Sequence, residues 1–484
     1  MLKKAFEKYK ALPVQVRASF WFLICAFLQR GISTITTPIF TRLLSTAEYG
    51  QYSVFNSWLG IITVLVALNL YSGVYTQGLV KFEDRRKEYS SSLQGLVFTL
   101  TCAWTVIYLL FHNFWNALFS LTTVQMLAML VMIWATAAFH FWSVEQRVDF
   151  KYRSLVIVTI IVSIAKPVIS IIFVLLADDK VTARILGLAL VELIGYSWCF
   201  ILQMYRGKKF FSKEFWIYAL KFNLPLIPHY LSMTVLSSSD RIMINNLVGE
   251  SEAGIYSLAY SISQIMTLFN TALMQTIEPW LYKKIKAKQI DDIKKVAYPA
   301  FFLIAVVNLL LIAVAPEIVS IFAPASYHEA IWVMPPVAMS VYFMFSYTFF
   351  AVFEFYYEKT SYTTIATTSG AVLNIVLNYI FINIFGYMAA GYTTLVCYMF
   401  FAVFHYSCMR KICRKKFKNQ MPYSTKILMS ITIAFMLVGF LFMATYNYTL
   451  MRYVLVFVIA VFLVIFRKEV IDIVRNLFSL KKQD

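Results

Sequence analysis

The sequence predicts an all-helical protein that crosses a membrane many times. Hydrophobic residues make up 60% of the chain and charged residues only 14%, a composition that is not typical of soluble proteins. Apolar runs of about 20 residues, the length that spans a hydrocarbon core, recur from end to end. The segment Leu43–Trp58 also aligns without a gap with Leu247–Ile262, 204 residues further on. Together these observations predict a polytopic membrane protein, all-α, in which one unit is repeated.

Fourteen segments are long and apolar enough to be predicted as membrane spans. Because lipid offers backbone groups no hydrogen-bond partners, each span is expected to be helical. The predicted spans cover residues 18–41, 53–80, 92–111, 118–144, 154–177, 183–204, 222–248, 254–278, 297–314, 330–353, 361–383, 388–409, 425–445 and 451–466.

Lysine and arginine residues predict the orientation of these spans. Those that precede the first span, follow the last or lie in every second connection number 36, whereas the opposite connections hold Arg42, Lys180, Arg184 and Arg452. Positively charged loops tend to stay in the cytoplasm, so both termini are expected there. The net charge of +19 therefore reflects membrane topology, and no nucleic-acid partner is expected.

The repeat and the spans together predict the domain organisation. Six spans separate the two copies, so both enter the membrane in the same direction, as parallel pseudo-twofold repeats do. We expect an N-lobe of six helices at 18–205, a C-lobe of six helices at 215–410 and a C-terminal helix pair at 425–466. Residues 1–17 are expected to be a cytoplasmic amphipathic segment, and residues 467–484 a cytoplasmic tail along the membrane surface.

Six of the sixteen aligned positions in the repeat are identical, and we interpret three of them as structural. The acid is expected to cap the following helix, the glycine to permit a sharp turn and the tyrosine to lie at the membrane interface. These positions are Glu48, Gly50 and Tyr52 in the first copy, and Glu252, Gly254 and Tyr256 in the second.

Two stretches resemble a known family. They are PIFTRLLSTAEYGQYS, which starts at Pro38, and DRIMINNLVGESEAGIYS, which starts at Asp240. They resemble the polysaccharide transporter group of the multidrug/oligosaccharidyl-lipid/polysaccharide (MOP) exporter superfamily, in particular the Wzx-type O-antigen or capsule repeat-unit flippases. The resemblance implies a MOP/MATE-like fold with two lobes that open to either side of the bacterial cytoplasmic (inner) membrane by alternating access.

The resemblance also implies a substrate. Its cargo is a polyprenyl-diphosphate-linked oligosaccharide (O-antigen, capsule or a related repeat unit), transferred from the inner to the outer leaflet. Membrane lipids are the other expected partners, and polysaccharide polymerase and chain-length proteins remain open as partners. No cofactor, metal or catalytic residue is expected.

Three cations lie deep within predicted spans, where charge is costly and usually faces a partner or a wet cavity. Arg30 lies about 18 Å into the first span at 1.5 Å per residue, Lys166 is similarly deep in the fifth, and Arg241 lies in the outer half of the seventh. One hypothesis is that they line a cavity that binds a diphosphate, which the resemblance supports for Arg30 and Arg241. The alternative is ion pairing, of Glu192 with Lys166 and of Asp240 with a neighbouring cation.

Other polar residues within spans are candidates for a sugar path or, alternatively, for hydrogen bonds between helices. Asn374 and Asn378 are four residues apart and should share a helix face. Arg42, at the end of the first span, is either a gate residue or a rim charge with its stem along the membrane surface. The sugar-path candidates are Asn69, Gln77, Asn270, Gln275, Asn374 and Asn378.

Three other functions compete with the flippase hypothesis. An enzyme is disfavoured because no loop exceeds about 20 residues and no metal-binding, nucleophile-elbow or P-loop motif occurs in the sequence. A cation-coupled small-molecule or drug exporter of the same superfamily would be expected to have an acidic cavity, whereas the mid-membrane charges here are mainly basic. A peptidoglycan-precursor flippase shares the expected charge and stays open as an alternative.

Overall fold

The structure is a computed structural model that describes residues 13–465 of the chain. The all-helical prediction is confirmed for this range, in which α-helices and three short 3-10 turns occur and no β-strand is present. The helices are α1 Val14–Leu43, α2 Thr46–Ala67, α3 Gly73–Lys81, α4 Arg86–Leu110, α5 His112–Phe119, α6 Thr123–Val148, α7 Tyr152–Leu176, α8 Lys180–Gly207, α9 Lys213–Asn223, α10 Ile227–Leu247, α11 Glu250–Ser263, α12 Met266–Lys286, α13 Ile290–Ala313, α14 Ala315–Phe322, α15 Ala330–Tyr356, α16 Thr360–Phe385, α17 Ala389–Lys416, α18 Thr425–Ala444 and α19 Thr449–Ile465.

The predicted spans coincide with these helices. Each of the fourteen segments falls on one helix or on two consecutive ones. Within the described range, ten helices are long and apolar enough to cross a membrane, namely α1, α4, α6, α7, α8, α13, α15, α16, α17 and α18. The count of fourteen crossings and the orientation of the termini stay predictions. The expected cytoplasmic tail and residues 1–12 of the expected N-terminal segment lie outside the described residues.

Two predicted spans, 53–80 and 254–278, are interrupted near the middle by a break between two helices. Between α2 and α3, Leu68 and Asn69 adopt left-handed conformations, with φ of 48° and 51°. The side-chain amide of Asn223 donates to the carbonyl oxygen of Leu68 at 2.5 Å, which satisfies a group that the helix end leaves free. Between α11 and α12, Gln264 and Ile265 form the break. Asn69, a predicted sugar-path residue, therefore has a backbone role, since asparagine tolerates this conformation.

The chain divides into two compact units, with the boundary after Ser238, inside α10. In the first unit, α8 packs against α4, α6 and α7. The first unit also includes α9, where Phe215 is fully buried and Trp216 Nε1 donates to the carbonyl oxygen of Ser92 at 2.9 Å. These contacts explain why the first unit extends past residue 205, where the predicted N-lobe ends.

In the second unit, α15 has the largest buried share of the membrane-length helices and packs most closely with α17. The helix α18, from the predicted C-terminal pair, packs on α13 and α15. Tyr342 Oη lies 2.9 Å from Thr432 Oγ1, and the Tyr342 ring stacks on Phe435 with centroids 4.5 Å apart. A Cβ added at Gly439 would lie 2.4 Å from Met339 Cε. The close contacts make α18 an integral part of this unit.

The sequence repeat is also a repeat of local structure. In the first copy α1 ends at Leu43 and α2 begins at Thr46. In the second copy α10 ends at Leu247 and α11 begins at Glu250, with the same offset of 204 residues. Both copies therefore place a short extended connection between two helices.

The roles expected for the repeat residues are only partly correct. Glu48 caps α2: its backbone N–H donates to Ser45 Oγ at 3.2 Å, and its carboxylate accepts from the Ser45 N–H at 2.7 Å. In the second copy Gly249 replaces the serine, and no side chain caps α11. The turn role of Gly50 and Gly254 is wrong, because both are buried inside helices. The connection before α2 is extended backbone, which needs no glycine.

Candidate functional site

Lys166 and Glu192 form an ion pair in the first unit. Lys166 Nζ lies 2.6 Å from Glu192 Oε1 and joins α7 to α8. The other carboxylate oxygen accepts a hydrogen bond from Thr136 Oγ1 of α6 at 3.0 Å, and the ammonium lies 5.6 Å from the centroid of the Tyr196 ring. Glu192 is buried and Lys166 is half-buried. The pairing alternative therefore describes these two residues, and their charges cancel locally.

Arg30 lies on an exposed polar face of α1. Ser33, Thr34 and Thr37 follow it at the spacing of one helix face, and Arg30 and Ser33 are both exposed. The threonine hydroxyls donate back to carbonyls of their own helix, Thr34 to Arg30 at 2.9 Å and Thr37 to Ser33 at 3.0 Å. Among residues 13–465, no carboxylate forms an ion pair with Arg30. This face thus presents one cation whose charge no acid balances.

Asp240 is the centre of a buried hydrogen-bond network in the second unit. Its fully buried carboxylate accepts from Tyr256 Oη at 2.6 Å, from Asn378 Nδ2 at 2.6 Å and from Thr394 Oγ1 at 2.9 Å. Within the described part of this unit, no basic side chain pairs with it. Neutral donors from α11, α16 and α17 therefore stabilise the carboxylate, at about 1.5–3 kcal/mol for each such bond, instead of the neighbouring cation considered above.

Asn374 and Asn378 share a helix face, as their spacing predicts, and extend this network. Asn378 Nδ2 lies 3.2 Å from Asn374 Oδ1, which also accepts from Ser239 Oγ at 2.8 Å. Thr393 Oγ1 donates to Asn378 Oδ1. Both asparagines are fully buried. Hydrogen bonding between helices therefore accounts for both residues.

Two further predicted residues of the second unit contact aromatic or backbone groups. The guanidinium carbon of Arg241 lies 4.3 Å from the centroid of the Tyr260 ring, within the range of a cation–π contact. Asn270 Nδ2 donates to the carbonyl oxygen of Val341 at 2.9 Å, which joins α12 to α15. Arg241 is half-buried. It directly follows Asp240, the centre of the hydrogen-bond network, in the sequence.

A buried cation beside the first repeat copy is Arg184, which the sequence analysis counted only as a charge of the connections. Its guanidinium carbon lies 3.7 Å from the ring centroid of Phe40 and 3.4 Å from that of Tyr52, and the residue is 8% exposed. Arg42, the predicted gate or rim residue, is exposed and donates to the carbonyl oxygen of Pro38 at 2.9 Å. A gating role for Arg42 stays a prediction.

The sequence analysis did not identify most of the neutral hydrogen-bond donors to the carboxylates of Glu192 and Asp240. Tyr256, expected at the interface, is fully buried and binds Asp240, because its helix turns the phenol inward. The signal available was the identity of Tyr52 and Tyr256 in the repeat, since each contacts a charged side chain. Thr394 belongs to no short motif that would have marked it.

A known protein family matches these helices. The family described as "Polysaccharide biosynthesis protein" matches residues 16–285, more than half of the chain. The chain belongs to this family. Residues 225–380 of the chain also match the family described as MatE. The predicted membership of the polysaccharide group of the MOP superfamily is confirmed, and the chain is an integral membrane protein.

Two relatives of the chain come from Haemophilus influenzae. "Lsg locus putative protein 1" is 31% identical over 143 residues, which cover 28% of this chain and 35% of the relative. "Uncharacterized membrane protein" is 21% identical over 190 residues, which cover 38% of this chain and 46% of the relative. Each match therefore spans less than half of the relative's length.

Solved structures share the fold of the chain. The lipid II flippase MurJ in an inward closed conformation has a TM-score of 0.66 at 13% identity, covering 92% of this chain and 99% of that one. An inward-facing multidrug resistance MATE transporter has a TM-score of 0.58 at 15% identity, covering 80% and 96%. At such identities the likeness shows the fold, which is MATE/MurJ-like. The matched families and neighbours are transporters and flippases, not enzymes.

Proposed function

We propose that the protein is a flippase that moves a polyprenyl-diphosphate-linked oligosaccharide from the inner to the outer leaflet of the bacterial cytoplasmic membrane. Membership of the polysaccharide biosynthesis family supports the glycan part of this substrate. The diphosphate part of the substrate is supported by Arg30. This arginine is exposed and forms no ion pair among the described residues, and it lies on a polar face of a membrane-length helix. Such a charge is costly in lipid and calls for an anionic partner.

The charges of the first unit favour an anion over a cation as cargo. The carboxylate of Glu192 is neutralised by Lys166 at 2.6 Å, so it offers little attraction to a cationic drug. The guanidinium of Arg30 forms no ion pair with any of residues 13–465, and its planar fork suits phosphate oxygens. Because the acid is paired and the arginine is not, an exporter of cationic drugs is the weaker alternative.

We assign Arg30 and Arg241 as candidate diphosphate-binding residues. Lys166, the third predicted diphosphate ligand, is paired with Glu192, which leaves it less charge to offer a ligand, so we do not assign it to the diphosphate. Asn69 and Asn270 remain candidates for the sugar path, whereas Asp240, Asn374 and Asn378 hold the helices of the second unit together through buried hydrogen bonds.

Transport would proceed by alternating access. The diphosphate binds while the site is open to the cytoplasm, the polyprenyl chain stays in lipid, and the glycan is released outside after the transition. Substrate drives this change only through different affinities for the two states. The membrane potential acts on any charge that moves, by about 2.3 kcal/mol per charge per 100 mV.

The test is complementation of a strain that lacks the native gene. Arg30→Ala is expected to lower surface polysaccharide and raise internal lipid-linked repeat units, because losing a charge-assisted bond of about 1.5–3 kcal/mol corresponds to about a 10- to 100-fold weaker interaction. Arg30→Lys should retain part of the export. Arg153→Ala removes an exposed arginine at the start of α7 and is the matched control. Full export by Arg30→Ala, at normal expression, would refute the assignment.

The same assay separates the competing functions. Unchanged polysaccharide with altered drug tolerance would indicate an exporter. Loss of cell-wall precursor transport would indicate a peptidoglycan-precursor flippase. Lost polymer without any accumulated lipid-linked intermediate would indicate an enzyme.

A further inference from the structure

A basic pocket of about 260 Å³ opens where α16 begins and α17 ends. Three lysines of α17 and one from the connection before α16 line it, together with two tyrosines. The side chains that matter here are Lys359, Lys411, Lys415, Lys416, Tyr357 and Tyr362. Lys416 Nζ lies 5.5 Å from the centroid of the Tyr357 ring, so the aromatic ring holds one ammonium at the wall of the pocket.

The four lysines of this pocket have no acidic partner. Within residues 13–465 none of them forms an ion pair, although other exposed lysines do, such as Lys284 with Asp292 at 2.9 Å. Like charges gathered around one concave site repel each other, and a bound anion relieves that repulsion. The pocket therefore suits a phosphate group.

A separate apolar groove of about 750 Å³ lies along α16, and its lining begins within one helical turn of the pocket. Ser361 lines the pocket, and Ile365, Thr368, Val372 and Val376 line the groove. These residues follow one another at intervals of three or four, so they form a single stripe on one face of the helix. Ile365 and Val372 are 54% and 57% exposed, so the groove is open to the surrounding lipid.

We propose that the pocket and the groove together bind one anionic phospholipid, with its phosphate on the lysines and an acyl chain along α16. The groove from Ile365 to Val376 is about 17 Å long at 1.5 Å per residue, close to the about 15 Å of one leaflet of a 30 Å hydrocarbon core. A chain that ends within one leaflet fits this length, whereas a long polyprenyl chain would extend beyond it. Lysines 411, 415 and 416 lie on the side predicted to be cytoplasmic, where basic pockets recruit anionic headgroups.

The lipid site does not rest on the proposed flippase function. The experiment titrates phosphatidylglycerol or phosphatidylcholine into delipidated full-length protein and counts bound lipids by native mass spectrometry. We expect one tightly bound phosphatidylglycerol and a preference of about tenfold or more over phosphatidylcholine. The triple variant Lys411→Gln, Lys415→Gln, Lys416→Gln should lose that preference.

Two further variants test the position of the charge and the role of the groove. Lys286→Gln, Lys288→Gln, Lys426→Gln removes the same charge from exposed positions elsewhere and should bind phosphatidylglycerol like the wild type. Val372→Trp fills the groove with the lysines intact and should weaken binding of the phospholipid but not of inorganic phosphate.

Three outcomes would overturn the lipid assignment. Equal losses in both triple variants would mean that only net charge matters. Equal binding of phosphatidylcholine would remove the role of the lysines. Displacement of phosphatidylglycerol by an equal concentration of a polyprenyl diphosphate would assign the site to the transported lipid.

Discussion

Removal of Lys166 alone is expected to destabilise the protein more than removal of both members of its ion pair. At 2.6 Å and an effective dielectric constant of about 20, Coulomb's law gives an attraction of about 6 kcal/mol. Desolvation offsets part of it, and the lysine side chain is still 29% exposed, so water screens the charge. We expect Lys166→Met to cost about 3 kcal/mol, the lower end for breaking a buried pair, because only Thr136 then stabilises the Glu192 carboxylate.

The assay is a double-mutant cycle on purified protein. The thermal midpoint of unfolding is measured for Lys166→Met, Glu192→Gln and the double variant, and the non-additivity gives the coupling between the two side chains. The double variant leaves no buried charge, so we expect its stability to lie within about 1 kcal/mol of the wild type. Export by the double variant is measured in the complementation strain.

Two results would refute this reasoning. If the single and double variants melt at the same temperature, the ion pair contributes nothing. If the double variant is as stable as the wild type yet does not export, Lys166 binds substrate and its pairing with Glu192 is secondary.

Three other substitutions are expected to lower the thermal midpoint. Tyr256→Phe should cost about 1–3 kcal/mol, because the buried carboxylate of Asp240 loses a donor at 2.6 Å. Gly78→Ala should cost about 1–3 kcal/mol, since its Cβ would lie 2.1 Å from Cζ of Tyr89 and the buried ring would have to move. Ser45→Ala removes the capping box of α2 and should cost about 1 kcal/mol. Each value is measured by thermal unfolding in the same detergent.

Each of these predictions has a matched control. Tyr379→Phe changes a tyrosine that is 61% exposed and should leave the midpoint unchanged. Gly31→Ala adds a Cβ that meets nothing within 4 Å and should be neutral or stabilising by up to about 1 kcal/mol. Ser45→Gly should cost only a few tenths of a kcal/mol. A control that destabilises as much as its partner would contradict the corresponding contact.

The sequence alone was sufficient to locate the helices and the repeat. Apolar length and polar connections are local properties, so the predicted spans fall on helices such as α7 and α18. The aligned copies predicted a turn at each repeat, and Leu43 and Leu247 do end helices that are followed by the same short connection. Residues 68–72 and 264–265, which form the two breaks, include no proline or glycine. Gly73 directly follows the first break, but a single glycine within an apolar run did not change the prediction of continuous spans.

The sequence by itself determined that this is an all-helical membrane protein of a polysaccharide transporter family with cations inside its spans. Only the tertiary structure decided which groups each charge within the spans contacts. Lys166 is paired with Glu192, Asp240 is stabilised by neutral donors, and Arg30 is left exposed on α1. Helical periodicity tells which residues share a face, but the crossing angle and rotation of packed helices decide which faces meet, and no spacing along the chain specifies them.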